Sequence, residues 1–153
     1  MCNPAGPILL VEDEKTDAML FRRALEKITA HPPIVEIANG DDAVDYLAGN
    51  GKYTDRGQYP LPHMVVLDIK LPRRSGFEVL DWIRSQPEKL RFTPVLMLSS
   101  SDRVDDVESS YDRGANAYVS KPFGSDEYNR LASAFANFWL KYNEQGQCPR
   151  LSK

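Results

Sequence analysis

Five short apolar runs recur along the chain with helix-period patterns between them, and this alternation constrains the fold more than any other feature. The runs are "PILLVE" (7–12), "IVEIA" (34–38), "HMVVLD" (63–68), "PVLMLS" (94–99) and "AYVS" (117–120). Short strands alternating with helices specify βαβ units, and so a parallel sheet with helices on its faces. The third run has four apolar residues in a row, Met64 to Leu67, without polar alternation. That pattern suits a strand covered on both faces. Right-handed crossovers with one reversal after the second strand predict a doubly wound α/β domain. Its parallel sheet would have the order 2-1-3-4-5 with five flanking helices.

The helical stretches are marked by stripes and caps. The first follows Asp13 and carries Ala18, Phe21, Leu25 and Ile28 at intervals of three or four. The second follows Gly40-Asp41 and carries Ala43, Val44 and Leu47. The third opens on "SGFE", where Ser75 and Glu78 have the spacing of a capping box, and stops before Pro87. The fourth, near 103–113, sets Val104, Val107 and Tyr111 on one face. The fifth begins at "SDEY", with Ser125 as cap and a stripe of Tyr128, Leu131, Phe135 and Phe138. The turn-rich connection 49–62 is long for its place in such a fold.

At 153 residues the chain can bury a core without disulfides or metal staples. The readable pattern makes one domain over 7–142, with 1–6 and 143–153 expected as flexible termini and no output domain following. No stretch is long and apolar enough for a membrane span, and "MCNPAGP" lacks the form of a signal peptide, so a cytoplasmic location is expected. Cys2 and Cys148 lie near opposite ends and are expected to stay reduced. A net charge of −3 without a basic block gives no footprint for nucleic acid. His31 and His63 lack metal-ligand spacing.

The residues at the strand ends carry the chemistry. Glu12-Asp13, Asp68, Ser99 and Lys121 close the first, third, fourth and fifth runs, and in an open parallel sheet those ends share one edge. Clustered acids repel one another, and a hard divalent cation with oxygen ligands, Mg²⁺, relieves that repulsion. Taken singly, Asp68 could cap a turn before Pro72, Lys121 could be a solvated lysine and Ser99 a strand-end hydroxyl.

Together these motifs resemble the response-regulator receiver domain, a CheY-like, flavodoxin-like fold. The resemblance rests on Glu12-Asp13, on "LDIKLPRRSG" around Asp68, on "LSS" at Ser99, on "GANAY", and on "KPF" at Lys121-Pro122, over about residues 7–140. More narrowly, the long 49–62 connection and "FWL" at Phe138–Leu140 are similar to single-domain regulators that partner bacterial phytochromes.

The resemblance implies a role for each residue. Asp68 would accept a phosphoryl group from a histidine kinase, and the narrower likeness implies one of the phytochrome type. Mg²⁺ would be held by Asp13, Asp68 and the main-chain carbonyl of Lys70, with Glu12 acting through a water. Lys121 and Ser99 would bind phosphoryl oxygens, and Tyr118 would be a rotamer switch. Lys121–Pro122 is expected to be cis. The signal would leave by contact with a downstream protein, the protein being a signalling component rather than a turnover enzyme.

Three departures from the commonest pattern stand out: Glu12 in place of Asp, Ser99 in place of Thr, and Lys70 at the mouth of the site. Two other readings compete. A haloacid-dehalogenase-like phosphatase also uses an Asp nucleophile after a parallel strand, but requires a second Asp where this chain has Lys70. A pseudo-receiver would be an interaction module that is never phosphorylated. In "FANFWLKY" (135–142) the aromatic residues surround the last helix, so an exposed face and a homodimer through that helix are expected.

Overall fold

The structure is a computed structural model and describes residues 6–28 and 31–142. Its strands are β1 (Ile8–Val11), β2 (Ile34–Ile37), β3 (Met64–Leu67), β4 (Val95–Ser99) and β5 (Ala117–Ser120). They pair in parallel in the order β2-β1-β3-β4-β5, as the right-handed crossover rule predicted. Every residue of β1, β3 and β4 is buried, while β2 and β5 form half-covered edges.

The pleat of the central strands sorts their side chains between two cores. Leu9, Val11, Val65, Leu67, Val95 and Met97 point to one face, where they meet α2 (Gly40–Ala48) and α3 (Gly76–Ser85). Ile8, Leu10, Met64, Val66, Leu96 and Leu98 point to the other, against α1 (Lys15–Glu26) and α6 (Gly124–Phe135). This two-sided burial explains the unbroken apolar runs in the sequence. Each fully covered aliphatic side chain contributes about 1.5–3 kcal/mol, so the sheet is a rigid platform for what stands on its edge.

The local signals for α3 hold in full. Ser75 Oγ accepts from the Glu78 N–H at 3.2 Å, Glu78 reaches back to the Ser75 N–H at 3.2 Å, and the helix ends at Ser85, before Pro87. The stripe of α1 is likewise inward, with Ala18, Phe21 and Leu25 buried and Ile28 packed beside them. Asn39 caps α2 by accepting from the Asp42 N–H at 2.8 Å, a cap the periodicity alone did not reveal.

Several expectations are corrected. A sixth helix is present, the single turn α4 (Glu88–Arg91). The helix over 103–113, α5 (Val104–Asp112), exists, but its apolar face is largely open to solvent: Val104 is 68% and Tyr111 49% exposed. Ser125 is not a cap, because α6 begins at Gly124, two residues earlier than such a cap implies, with Phe123 at the cap position and no side-chain cap bond. Phe138 leaves the stripe that Tyr128 and Phe135 follow into the core, and is 56% exposed. The reason is a change of winding: residues Ala136–Tyr142 form a wider π-helical segment, which breaks the spacing that aligned Phe138 with the stripe.

The expected cis Lys121–Pro122 bond is not found, no cis peptide being present among the described residues. Trans is the lower-energy isomer at such bonds by about 0.5–1 kcal/mol, and Lys121 reaches the sheet edge without the cis form. Gly6, placed in the N-terminal tail, is buried, and His63 Nδ1 lies 2.6 Å from its carbonyl. The rest of that tail, the segment 143–153, and with them Cys2 and Cys148, lie outside the described residues.

The 49–62 connection is structured. Tyr59 meets both Tyr46 and Tyr53 edge-on, Tyr46 and Tyr53 pack at a tilt, and Arg56 donates to the carbonyls of Tyr46 and Leu47, each at 2.7 Å. It folds beside α2.

Candidate functional site at the strand tips

The site is built where strand ladders run out. The Glu12 N–H donates to the Ile37 carbonyl at 2.9 Å and the Asp68 N–H to the Val11 carbonyl at 3.1 Å, so both acids are registered just past the ends of β1 and β3. The Lys121 N–H donates to the Ser99 carbonyl at 2.8 Å, which sets Lys121 one step past β5 beside the tip of β4. Four residues that the sequence spreads over 109 positions thereby converge.

Two glycines shape the loop after β3. A Cβ on Gly76 would lie 1.9 Å from the Asp68 carbonyl oxygen, and one on Gly40 would lie 1.9 Å from the Arg74 carbonyl oxygen. Only the absent side chains let the loop turn back so tightly behind Asp68. The Gly76 N–H then donates to the Ile69 carbonyl at 2.8 Å, fixing the turn.

Lys121 Nζ is the hub. It contacts Glu12 Oε1, lies 2.9 Å from Asp68 Oδ2 and 3.1 Å from Asp17 Oδ2, and its side chain is only 9% exposed. Asp68 Oδ1 accepts from the Ile69 N–H at 2.7 Å. Oxygens of Glu12, Asp13 and Asp68 all lie within 4.8 Å of one another, with Glu12 and Asp68 buried and Asp13 open to solvent. Burial pushes the Glu12 carboxyl up to about 8; its hydrogen bond with Asp68 adds to the rise, and the Lys121 ammonium opposes it. Burial also works against the charge on Lys121, but Glu12, Asp68 and Asp17 outweigh it and hold the ammonium above its ordinary value.

The donor set suits a hard divalent cation. Among the described residues it offers carboxylate oxygens alone, neither thiolate nor imidazole, and the exposed Asp13 side leaves room for bound waters. One cation, Lys121, faces several acids, so further positive charge is favoured there.

The other predicted residues are placed as follows. Ser99 is 1% exposed, and its Oγ accepts from the Ser101 N–H at 3.3 Å; among the described residues it makes no hydrogen bond to the acids. Tyr118 is half-buried, and its hydroxyl donates to the Ser101 carbonyl. It is thus tied to the same loop as Ser99. Lys70 is exposed at the mouth of the site. Asp17, on the first turn of α1, and Tyr128, which donates to Asp17 Oδ1 at 3.2 Å, were not foreseen. Both fit ordinary helix patterns, and only their facing partners distinguish them.

The model of the response regulator receiver domain matches residues 8–132. The chain belongs to that family. This receiver is 37% identical over 136 residues to the probable methanogenesis regulatory protein FilR2 of Methanothrix harundinacea, covering 89% of this chain and 84% of that one. It is 33% identical over 139 residues to the response regulator Rcp1 of Synechocystis sp., covering 91% and 92%. Among solved structures it resembles the Mn²⁺-bound form of Rcp1, with a TM-score of 0.82 at 31% identity, over 92% of this chain and 98% of that one. It also resembles the phosphorylated cyanobacterial phytochrome response regulator RcpA, with a TM-score of 0.85 at 33% identity and the same coverage. The receiver is a signalling module of two-component systems, and among its described residues no helix is long and apolar enough to cross a membrane. Family membership and Lys70, where a phosphatase of the haloacid dehalogenase type would need its second Asp, both stand against that alternative.

Proposed function

We propose that Asp68 accepts a phosphoryl group from a phosphohistidine of a histidine kinase and that the protein passes the signal on by contact with another protein. The observation that carries this reading is Asp68 itself. It is 6% exposed, set past a rigid strand, with Oδ2 on Lys121 and with oxygens of Glu12 and Asp13 close by. A carboxylate oxygen of Asp68 attacks phosphorus, the P–N bond breaks, its electron pair returns to the histidine ring, and an acyl phosphate forms. Such a transfer needs charge neutralisation and in-line placement more than acid–base groups.

Lys121 pairs with one phosphoryl oxygen, and Ser99, freed from Ser101, donates to another. Asp13, Asp68 and the main-chain carbonyl of Lys70, with Glu12 through a water, would hold Mg²⁺, whose charge offsets that of the transferring group. Movement of Ser99 draws on the loop that also holds the Tyr118 hydroxyl, so Tyr118 reports the phosphoryl state to the α5–β5 face. Likeness to a phytochrome response regulator supports a phytochrome-type kinase as donor, and a cytoplasmic location follows from such a partner.

Acetyl phosphate with Mg²⁺ and intact-mass spectrometry test the assignment. One phosphoryl adduct is expected on the wild type and none on Asp68→Asn. An adduct surviving in Asp68→Asn refutes the acceptor. No adduct on the wild type from acetyl phosphate or any phospho-kinase identifies a pseudo-receiver.

A further inference from the structure

A lysine ammonium has three hydrogens. Two of those of Lys121 face Glu12 and Asp68, which the proposed transfer uses; the third faces Asp17 Oδ2 at 3.1 Å. The other oxygen of Asp17 is engaged from the opposite side, accepting from the Tyr128 hydroxyl at 3.2 Å. Tyr128 is 0% exposed and its ring belongs to the core between α1 and α6. A buried phenol keeps its proton for a partner, and here burial, with Asp17 beside it, holds the hydroxyl above its ordinary pKa and in the donor form. Four groups thus stand in series, Tyr128, Asp17, Lys121 and Asp68, and the first two belong to none of the strand-tip motifs.

A lysine stem has four rotatable bonds, and ordering it costs rotamer freedom. If that ordering precedes arrival of the phosphodonor, it does not add to the barrier. We propose that Asp17 is a positioning residue for phosphoryl transfer: held by Tyr128, it pins Lys121 Nζ beside Asp68 before the donor arrives. The alternative role, a competitor that draws Lys121 away, conflicts with the geometry, since Nζ contacts Asp17 and Asp68 at once. Asp17 needs the tether because its side chain is 27% exposed and would otherwise be free to turn to water. This inference rests on the reading that Asp68 is the phosphoryl acceptor.

The test is the rate of adduct formation at Asp68 with Mg²⁺ over a range of acetyl phosphate concentrations, a small donor whose reaction involves no kinase docking. Asp17→Asn is expected to lower the maximal rate about tenfold, leaving half-saturation by donor unchanged. Tyr128→Phe keeps the ring's packing and is expected to lower it about threefold. Asp17→Glu should recover part of the loss. The deciding arm is Lys121→Ala: if Asp17 acts through Lys121, adding Asp17→Asn to that variant changes nothing further. An equal further loss in that background would assign Asp17 a structural role and overturn the proposal, as would faster transfer by Asp17→Asn. Absence of any wild-type adduct at Asp68 removes the proposed function and this inference together. A labelled wild type with unaltered variants removes the inference alone.

Discussion

Two partly buried cations stand at opposite ends of the sheet, and their surroundings differ in kind. At the amino ends of β4 and β5, Arg84 donates to the carbonyls of Gly114 at 2.9 Å, of Arg91 and Thr93 at 2.8 Å, and to Asn116 Oδ1 at 3.0 Å. Every acceptor there is neutral. At the carboxyl ends, Lys121 faces three acidic side chains. Neutral acceptors satisfy a guanidinium's fixed fork and leave one stable arrangement, which ties α3 to the start of the sheet. Charged acceptors crowd like charges around a single ammonium. Such a set is held in place by the fold and gains from any further cation, which is the condition of a site that binds and reacts rather than of a joint.

Removing each cation sharpens the contrast. Arg84→Ala should lower folding stability by about 3 kcal/mol, since carbonyls left without a donor cost about 1–3 kcal/mol each. Water entering the cleft of about 380 Å³ beside Arg84, Arg113 and Asn116 recovers part of that. Urea unfolding measures the loss, and the rate of phosphoryl acceptance by the folded protein should be unchanged. Lys121→Met should cost about 2 kcal/mol in metal-free buffer, because the buried Asp68 loses its counter-charge. Here Mg²⁺ should restore stability, as it should not for Arg84→Ala. Equal responses to Mg²⁺ would erase the distinction.

The same contrast extends to pH. The Glu12 carboxyl stands at about 8 against an ordinary 4.5, so the folded state holds this proton more tightly than the unfolded chain does. Its stabilising contribution is full below about 4.5 and is lost as pH rises through about 8. Metal-free stability should therefore decline across that window, divalent affinity should rise over it, and Glu12→Gln should flatten both. Thermal melts with and without Mg²⁺ between pH 5 and 9 provide the check. A flat profile in the wild type would show that Lys121 keeps Glu12 ionised.

The smallest effects belong to the last helical segment. Trp139 and Leu140 are partly buried against the core that contains Phe21 and Leu25, whereas Phe138 projects outward. Trp139→Glu should lower stability by about 1–2 kcal/mol, while Phe138→Glu should stay within about 0.5 kcal/mol. Phe138, not Trp139, is thus the residue with which to test a homodimer through this helix. Sedimentation of Phe138→Glu and wild type, with and without acetyl phosphate, decides it; identical monomers throughout would exclude the dimer.

Periodicity by itself determined the five parallel strands, the stripes of α1 and α2 and both ends of α3, because those features depend on neighbours a few residues away. It also determined that Glu12, Asp13, Asp68, Ser99 and Lys121 share an edge, since a strand's end is a local property and the crossover rule is general. What only the tertiary structure decided lies across elements. Tyr128 and Asp17 are 111 positions apart and meet because α1 and α6 pack on the same face. The need for Gly76 is visible only once the loop turns back on the Asp68 carbonyl. The outward turn of Phe138 depends on the π-helical winding after Phe135, and the open face of α5 depends on its place beside an edge strand. A one-dimensional pattern records which face of an element is apolar; which neighbour that face meets, and at what distance, is set by packing of the whole chain.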